Sequence, residues 1–286
     1  MLLGEYSVLR GAKALAFPLK YGQKLRVGPA QTLLEWSSHS VEGEWFFCKM
    51  DRDLHILEST DRKISKKLQE VFQLLQKRIP DLVVSRRFQI EANFDLNWGF
   101  GSSSTLISLL AQWSNVDAYD ILENTFGGSG YDIACAQSKS PITYQNTEQG
   151  REVISVMLSS EITENLLFVY HGHKQNTSDN VKKFKAIPIH TSFISKLSSL
   201  TERALKVNSI EKFEEILNES EDILEYVLGQ TALKKSTFVD YPYSIKSLGA
   251  WGGDFFLATY RDLEEAESYF KNKGYNTMFY YNQIAL

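Results

Sequence analysis

The stretch "NWGFGSSSTLISLL", residues 97–110, sets two glycines and three serines directly ahead of an apolar helical pattern. A glycine-rich turn that enters a helix can hold an anion. The unpaired N–H groups of the first turn point outward, and the helix dipole favours negative charge. The P-loop pattern needs a Lys just before its Ser/Thr, and none stands here. Gly99, Gly101, Ser102, Ser103 and Ser104 are therefore either a plain turn with a serine cap or an anion site of another kind. A second stretch, "FGGSGYDIACA" at residues 126–136, crowds Gly127, Gly128 and Gly130 around Ser129, and Asp132 follows at a helix start. Asp132 either balances the helix dipole or serves as a general base or orienting carboxylate among glycines. In a third stretch, "KSLGAWGGDFFLA" at residues 246–258, Gly249, Gly252 and Gly253 lead into an apolar strand. It reads as a tight turn ending in Asp254, or as bare backbone that lets a loop or ligand approach closely.

Regular elements must hold these stretches in place. Ile64, Leu68, Val71 and Leu75 recur at three- and four-residue spacing, which predicts a helix over residues 62–79 that Pro80 stops. Phe88, Ile90, Ala92 and Phe94 alternate, as in a half-buried strand. Residues 13–28 read as extended segments broken by turns, and residues 32–38 and 44–50 as strands rich in bulky and aromatic side chains. Leu106, Ile107, Leu109, Leu110 and Trp113 carry a helix behind the serines; a second short helix is expected at residues 117–126 and a third behind the second glycine turn. Strands are expected at residues 152–158, 165–172, 255–260 and 276–282. Helices are expected at about 191–207, 209–228 (with Gly229 as its C′ residue) and 262–274, the last opened by an Asp262/Glu265 capping box. Strands and helices intermix without strict alternation, which predicts an α+β chain with a boundary between the Cys135 region and the strand at Leu166.

Composition narrows the function classes. The chain has 286 residues, 43% apolar and 23% charged, enough for one large or two ordinary domains. A net charge of −4 supplies no overall field for nucleic acid or an acidic membrane, although a local basic pocket for an anionic small molecule is compatible with it. Cys48 and Cys135 lie far apart, which is neither a disulfide framework nor a zinc pattern and predicts a reduced, cytoplasmic setting. No apolar run approaches the roughly 18 residues of a membrane helix. The opening residues, with Glu5 among them, do not read as a signal peptide.

The opening residues, with the first and third glycine stretches, resemble in order the three motifs of the GHMP kinases, the superfamily of galactokinase, homoserine kinase, mevalonate kinase and phosphomevalonate kinase. "LLGEYSVLRGAKALAFPLKYGQ" resembles the first motif, close to GEY/GEH-x-V-x-x-G; "WGFGSSSTLISLLA" resembles the second; "SLGAWGGDFFLA" resembles the third. "SGYDIACA" is similar to the mevalonate/phosphomevalonate side, and especially to a subgroup named for the GYDIA residues, here Gly130 to Ala134. The resemblance implies a two-domain α+β fold, with a mixed sheet/helix ATP-binding domain at residues 1–160 and a ferredoxin-like α/β sandwich at residues 161–286. It implies ATP and Mg²⁺ as cofactors. Gly99, Gly101, Ser102, Ser103, Ser104, Gly249, Gly252 and Gly253 would hold the nucleotide, Ser103 and Glu123 the Mg²⁺, and Asp132 would orient or deprotonate the attacking hydroxyl.

"VYHGHKQNTSDNV", residues 169–181, reads from its residues as a polar loop after a buried strand and resembles a substrate-side segment of phosphomevalonate kinases. By that resemblance Lys174, Gln175, Asn176 and Ser178 would meet an anionic group of the acceptor, joined by Glu5, Tyr6 and Ser129. His171 and His173 read as loop residues, since no third metal ligand accompanies them. Trp251 stands where relatives carry a small residue, and either narrows the site or packs. Relatives also carry a Gly-Lys pair upstream of the first motif. No residue here occupies that Lys position, and Lys13 lies beyond the motif. The implied activity is phosphorylation of mevalonate or 5-phosphomevalonate. A sugar or homoserine kinase and a nucleotide-binding member without turnover are the alternatives. The implied partners are small molecules, with no nucleic acid and no membrane, for a monomer or homodimer.

Overall fold

Alternation of apolar side chains builds the largest sheet, in a computed structural model that describes all residues except 81, 83–84, 173–176, 250 and 252, together with the side chains of 177–180 and 183. Phe88 and Ile90 on Arg86–Ala92, Trp36 on Leu34–Ser40, and Phe46, Cys48 and Met50 on Gly43–Met50 all point into one core. The strand order is Gln23–Pro29, Arg86–Ala92, Leu34–Ser40, Gly43–Met50, Ile56–Ser59. Every pairing is antiparallel except Leu34–Ser40 with Arg86–Ala92, which is parallel. Helix Arg62–Arg78 starts at Asp61, whose carboxylate accepts the Lys63 and Ile64 N–H groups. It buries Leu68, Val71, Phe72 and Leu75 in this core, with the Phe72 and Phe88 rings 4.9 Å apart. Truncating Phe72 to Ala would cost about 3–5 kcal/mol. Helices Ser102–Ser114, Ala118–Asn124 and Tyr131–Gln137 complete a compact smaller unit, residues 21–96 and 100–137.

The larger unit joins residues 1–20, 97–99 and 138–286. One of its sheets pairs Ala14–Ala16 with Ile142–Thr147 and the latter with Gly150–Ser155, all antiparallel. The other is antiparallel throughout, in the order Ile245–Ser247, Phe255–Thr259, Leu166–Tyr170, Met278–Tyr280. With helices before Ile245–Ser247 and between Phe255–Thr259 and Met278–Tyr280, this is the ferredoxin-like order. Helix Ile210–Leu228 is capped by the Ser209 hydroxyl and closed by Gly229 in the left-handed region. Helix Leu263–Asn272 is capped by Asp262, which accepts the Glu265 N–H. Phe256, Phe238 and Phe270 form the centre of the core beneath the sheet.

The elements expected from periodicity form with end shifts of a few residues. Several elements had no expectation, among them the short helices Ser160–Thr163 and Leu233–Ser236, and helix Tyr281–Ile284 takes over the end of the strand expected at residues 276–282. Ile56–Ser59 and Ile142–Thr147 are strands, and Thr177–Ala186 is a helix inside the segment read as a polar loop.

Candidate active site

In the smaller unit, Gly101 is the N-cap of helix Ser102–Ser114. It adopts φ 72° and ψ 38°, left-handed values that a side chain rarely takes, and no side-chain cap closes the helix start. The expected serine cap is absent because the turn ends one residue earlier. Ser102, Ser103 and Ser104 lie inside the first turn, and Ser103 is exposed. Their N–H groups are the donors that a helix start leaves without an intrahelical partner. Thr105 secures this turn: its hydroxyl donates to Gln23 Oε1 at 2.7 Å, on the edge strand Gln23–Pro29.

Helix Tyr131–Gln137 packs against helix Ser102–Ser114 and carries Asp132 in its first turn. The Asp132 side chain is exposed, so it is reachable, yet the surrounding protein desolvates its carboxyl and raises it above the ordinary value of 3.8. A hydrogen bond with the Tyr131 side chain opposes that shift. Gly127 and Gly128 are exposed in the preceding turn. Lys67, on helix Arg62–Arg78, steadies the entry to it. Its Nζ donates to the Thr125 carbonyl at 3.1 Å and lies 5.4 Å from the Phe126 ring centre. Glu123 is exposed on helix Ala118–Asn124, and Ser129 is half-buried.

The larger unit brings the first and third stretches together. Asp254 packs so closely on Gly99 that a Cβ added there would lie 1.8 Å from Asp254 Oδ2. Gly99 is at φ +66°, so both the backbone and the available space require glycine. Glu5 is 2% exposed, and its Oε1 accepts from Lys246 Nζ at 2.6 Å. Lys246 is itself fully buried and lies 3.8 Å from Glu221 Oε1. Glu221 also accepts from the Ser247 hydroxyl and from the Trp251 indole, each at 3.2 Å. Burial pushes the Glu221 carboxyl up to about 7, against the pull of Lys246. Tyr6 holds φ 58°, is buried, and stacks on Phe184 of helix Thr177–Ala186 with centroids 5.1 Å apart. Burial and the neighbouring Glu5 raise its phenol to about 12.

Trp251 is buried, so among the two readings of this position it takes the packing one. Gly249 is left-handed at φ +62° with open space beside it, and Gly253 is buried. Lys13 is committed elsewhere, to Glu202 Oε1 at 2.8 Å. His171 stacks on Tyr275, centroids 6.0 Å apart. Lys174, Gln175, Asn176 and Gly252 lie outside the described residues, as does the Ser178 side chain. Sequence reasoning did not single out Lys67, Glu221 or Lys246 as partners. Lys246 is the middle residue of the short strand Ile245–Ser247, whose sequence carries no sign that the charge is buried.

No family model matches the chain, and no curated protein matches it. Solved structures match over nearly its whole length. Phosphomevalonate kinase from Streptococcus pneumoniae, in complex with phosphomevalonate and AMPPNP, is 17% identical with a TM-score of 0.72, covering 98% of this chain and 96% of that one. Galactokinase from Lactococcus lactis, complexed with galactose, is 14% identical with a TM-score of 0.72, over 98% and 90%. The mevalonate kinase of Methanococcus jannaschii is 14% identical with a TM-score of 0.68, over 97% and 93%. This is the GHMP kinase fold. In the ferredoxin-like sheet the third stretch is the connection between strands Ile245–Ser247 and Phe255–Thr259.

Proposed function

We propose that the chain is an ATP- and Mg²⁺-dependent small-molecule kinase whose acceptor is mevalonate or 5-phosphomevalonate. The start of helix Ser102–Ser114 carries this reading: a left-handed glycine, no side-chain cap and an exposed Ser103 in the first turn. Backbone N–H groups there suit phosphate oxygens. Phosphoryl transfer asks mainly for positioning and electrostatic stabilisation, which such a turn provides without a lysine. Ser103 and Glu123 are both exposed oxygen donors, the chemistry that a hard divalent cation takes, and they are the residues that would hold Mg²⁺. When bound, the ion neutralises charge on the phosphates.

Asp132 is exposed and its carboxyl is raised, so it is a stronger base towards an acceptor hydroxyl than an ordinary aspartate. It would orient the hydroxyl and accept its proton as the acceptor oxygen bonds to the γ-phosphorus of ATP and the bond from that phosphorus to the departing ADP breaks. Ser129, Lys174 and Ser178 meet the acceptor in this reading. Glu5 and Tyr6, both buried, line the acceptor pocket in the same reading.

One observation keeps a second reading, a sugar kinase: the galactokinase fits this chain with the same TM-score, 0.72, as the phosphomevalonate kinase. A coupled ADP-release assay with MgATP against mevalonate, phosphomevalonate, galactose and homoserine decides between them. Turnover with mevalonate or phosphomevalonate is the expected result. Turnover with galactose alone would move the chain to the sugar kinases. Nucleotide binding without turnover on any acceptor would make it a non-catalytic member.

A further inference from the structure

The interior of the larger unit holds two carboxylates against one ammonium. Lys246 Nζ donates to Glu5 Oε1 at 2.6 Å and to the Ser247 carbonyl at 3.0 Å. The side chains of Lys246, Glu5 and Glu221 are 0%, 1% and 4% exposed. Glu5 Oε2 is buried and makes no hydrogen bond. A buried ion pair gains little net stability over apolar packing of the same volume, and a second buried carboxylate adds a further desolvation cost. What the cluster supplies is direction. Trp251 sits at φ +34°, a conformation that a bulky residue holds only when its surroundings impose it. Its indole N–H points at Glu221 Oε1, while Glu221 Oε2 takes the Ser247 hydroxyl at the end of strand Ile245–Ser247.

We propose that Glu221 is the positioning residue of the third glycine stretch: it fixes Trp251 through the indole N–H and, by way of Lys246, ties that stretch to Glu5 of the first motif. Glu221 stands on helix Ile210–Leu228, outside all three motifs, and meets the third stretch at Lys246, Ser247 and Trp251. The functional part of the proposal rests on the kinase reading, in which this stretch binds nucleotide. The structural part does not.

The test uses the full chain as wild type, Glu221→Ala, Glu221→Gln and Trp251→Phe, each checked for fold by circular dichroism. Trp251 is one of five tryptophans, so its emission is taken as the difference between each protein and the same protein carrying Trp251→Phe. Glu221→Ala is expected to shift the Trp251 emission to the red, open it to acrylamide quenching, and weaken MgADP binding by roughly tenfold or more, the loss of one hydrogen bond to a charged group. Glu221→Gln, whose amide oxygen still accepts from the indole, is expected to restore both signals. A folded Glu221→Ala with unchanged Trp251 emission overturns the proposal, and so does a Gln variant as impaired as the Ala variant. Where Glu221→Ala fails to fold, Trp251→Phe decides: it removes the N–H alone and is expected to weaken MgADP binding about tenfold, and wild-type affinity would overturn the assignment. A wild type that binds no MgADP rejects the kinase reading, and the emission of Trp251 in Glu221→Gln and Glu221→Ala then judges the positioning role alone.

Discussion

The two units treat polar groups in opposite ways. The larger one buries Glu5, Lys246 and Glu221 and hydrogen-bonds them to a backbone carbonyl, a hydroxyl and an indole. The smaller one leaves the first turn of helix Ser102–Ser114 uncapped and Ser103 exposed. Polar groups paired with one another in an interior make a support, here with Glu5 Oε2 left over, whereas unpaired donors at a surface are open to a ligand. Under the proposed kinase reading, the difference separates residues that hold a site from residues that meet a substrate.

The contrast is broken most strongly at Asp132. Replacing it with Asn is expected to lower turnover by about 10²–10⁴ while fold and MgATP binding persist. In the wild type the acid limb of the pH–rate profile should lie above 3.8, because the base must lose its proton and burial raises that carboxyl. The limb should vanish with the carboxylate, and steady-state assays across pH read both effects. Normal turnover in the variant would leave Asp132 a helix-start residue.

Lys246→Met attacks the other side of the contrast. It leaves two buried carboxylates facing each other, and chemical denaturation should show a loss of about 3–5 kcal/mol. A loss under about 1 kcal/mol, the range of exposed ion pairs, would mean that the cluster is solvated. The smallest effect is expected at Gly99→Ala, where φ is +66° and the new methyl would strike Asp254. A cost of roughly 1–3 kcal/mol follows from backbone strain and displaced packing, measured by the same denaturation. A neutral result would show that Asp254 moves aside freely.

Much of the fold was legible because its elements carry strong local periodicity. Helix Arg62–Arg78 combines an apolar stripe, an Asp cap and a following proline. Strand Arg86–Ala92 alternates cleanly because it has one buried face. Helix Thr177–Ala186 was hidden by its polar, low-amphipathicity sequence, in which Val181 and Phe184 alone supply apolar bulk. Strand Ile142–Thr147 is short and loses its alternation where three buried residues run together. At the candidate site, glycine spacing and the following apolar runs exposed the three stretches and Asp132. The partnership of Glu5 with Lys246 spans 241 residues and Glu221 has no motif around it, so no local pattern could reveal either. Gly101 in place of a serine as the cap was equally invisible, because Ser and Gly are both good N-cap residues and only backbone angles tell them apart.

The separation of Glu5 from Lys246 also sets a timetable. The larger unit is interrupted in sequence by the smaller one, and its opening residues pair with strand Ile142–Thr147 and with Lys246. A ribosome adding about 5–20 residues per second needs on the order of ten to fifty seconds to go from the first partner to the second. Through the first part of that interval, until strand Ile142–Thr147 is made, Leu2, Leu3 and Val8, all buried in the finished protein, lack the sheet that the opening segment joins. Residues 1–20 thus wait for partners made much later, while residues 21–137 hold all that the smaller unit requires. Nascent chains stalled after residue 137 should therefore protect the five-stranded sheet from proteolysis and still expose the first motif to a chaperone.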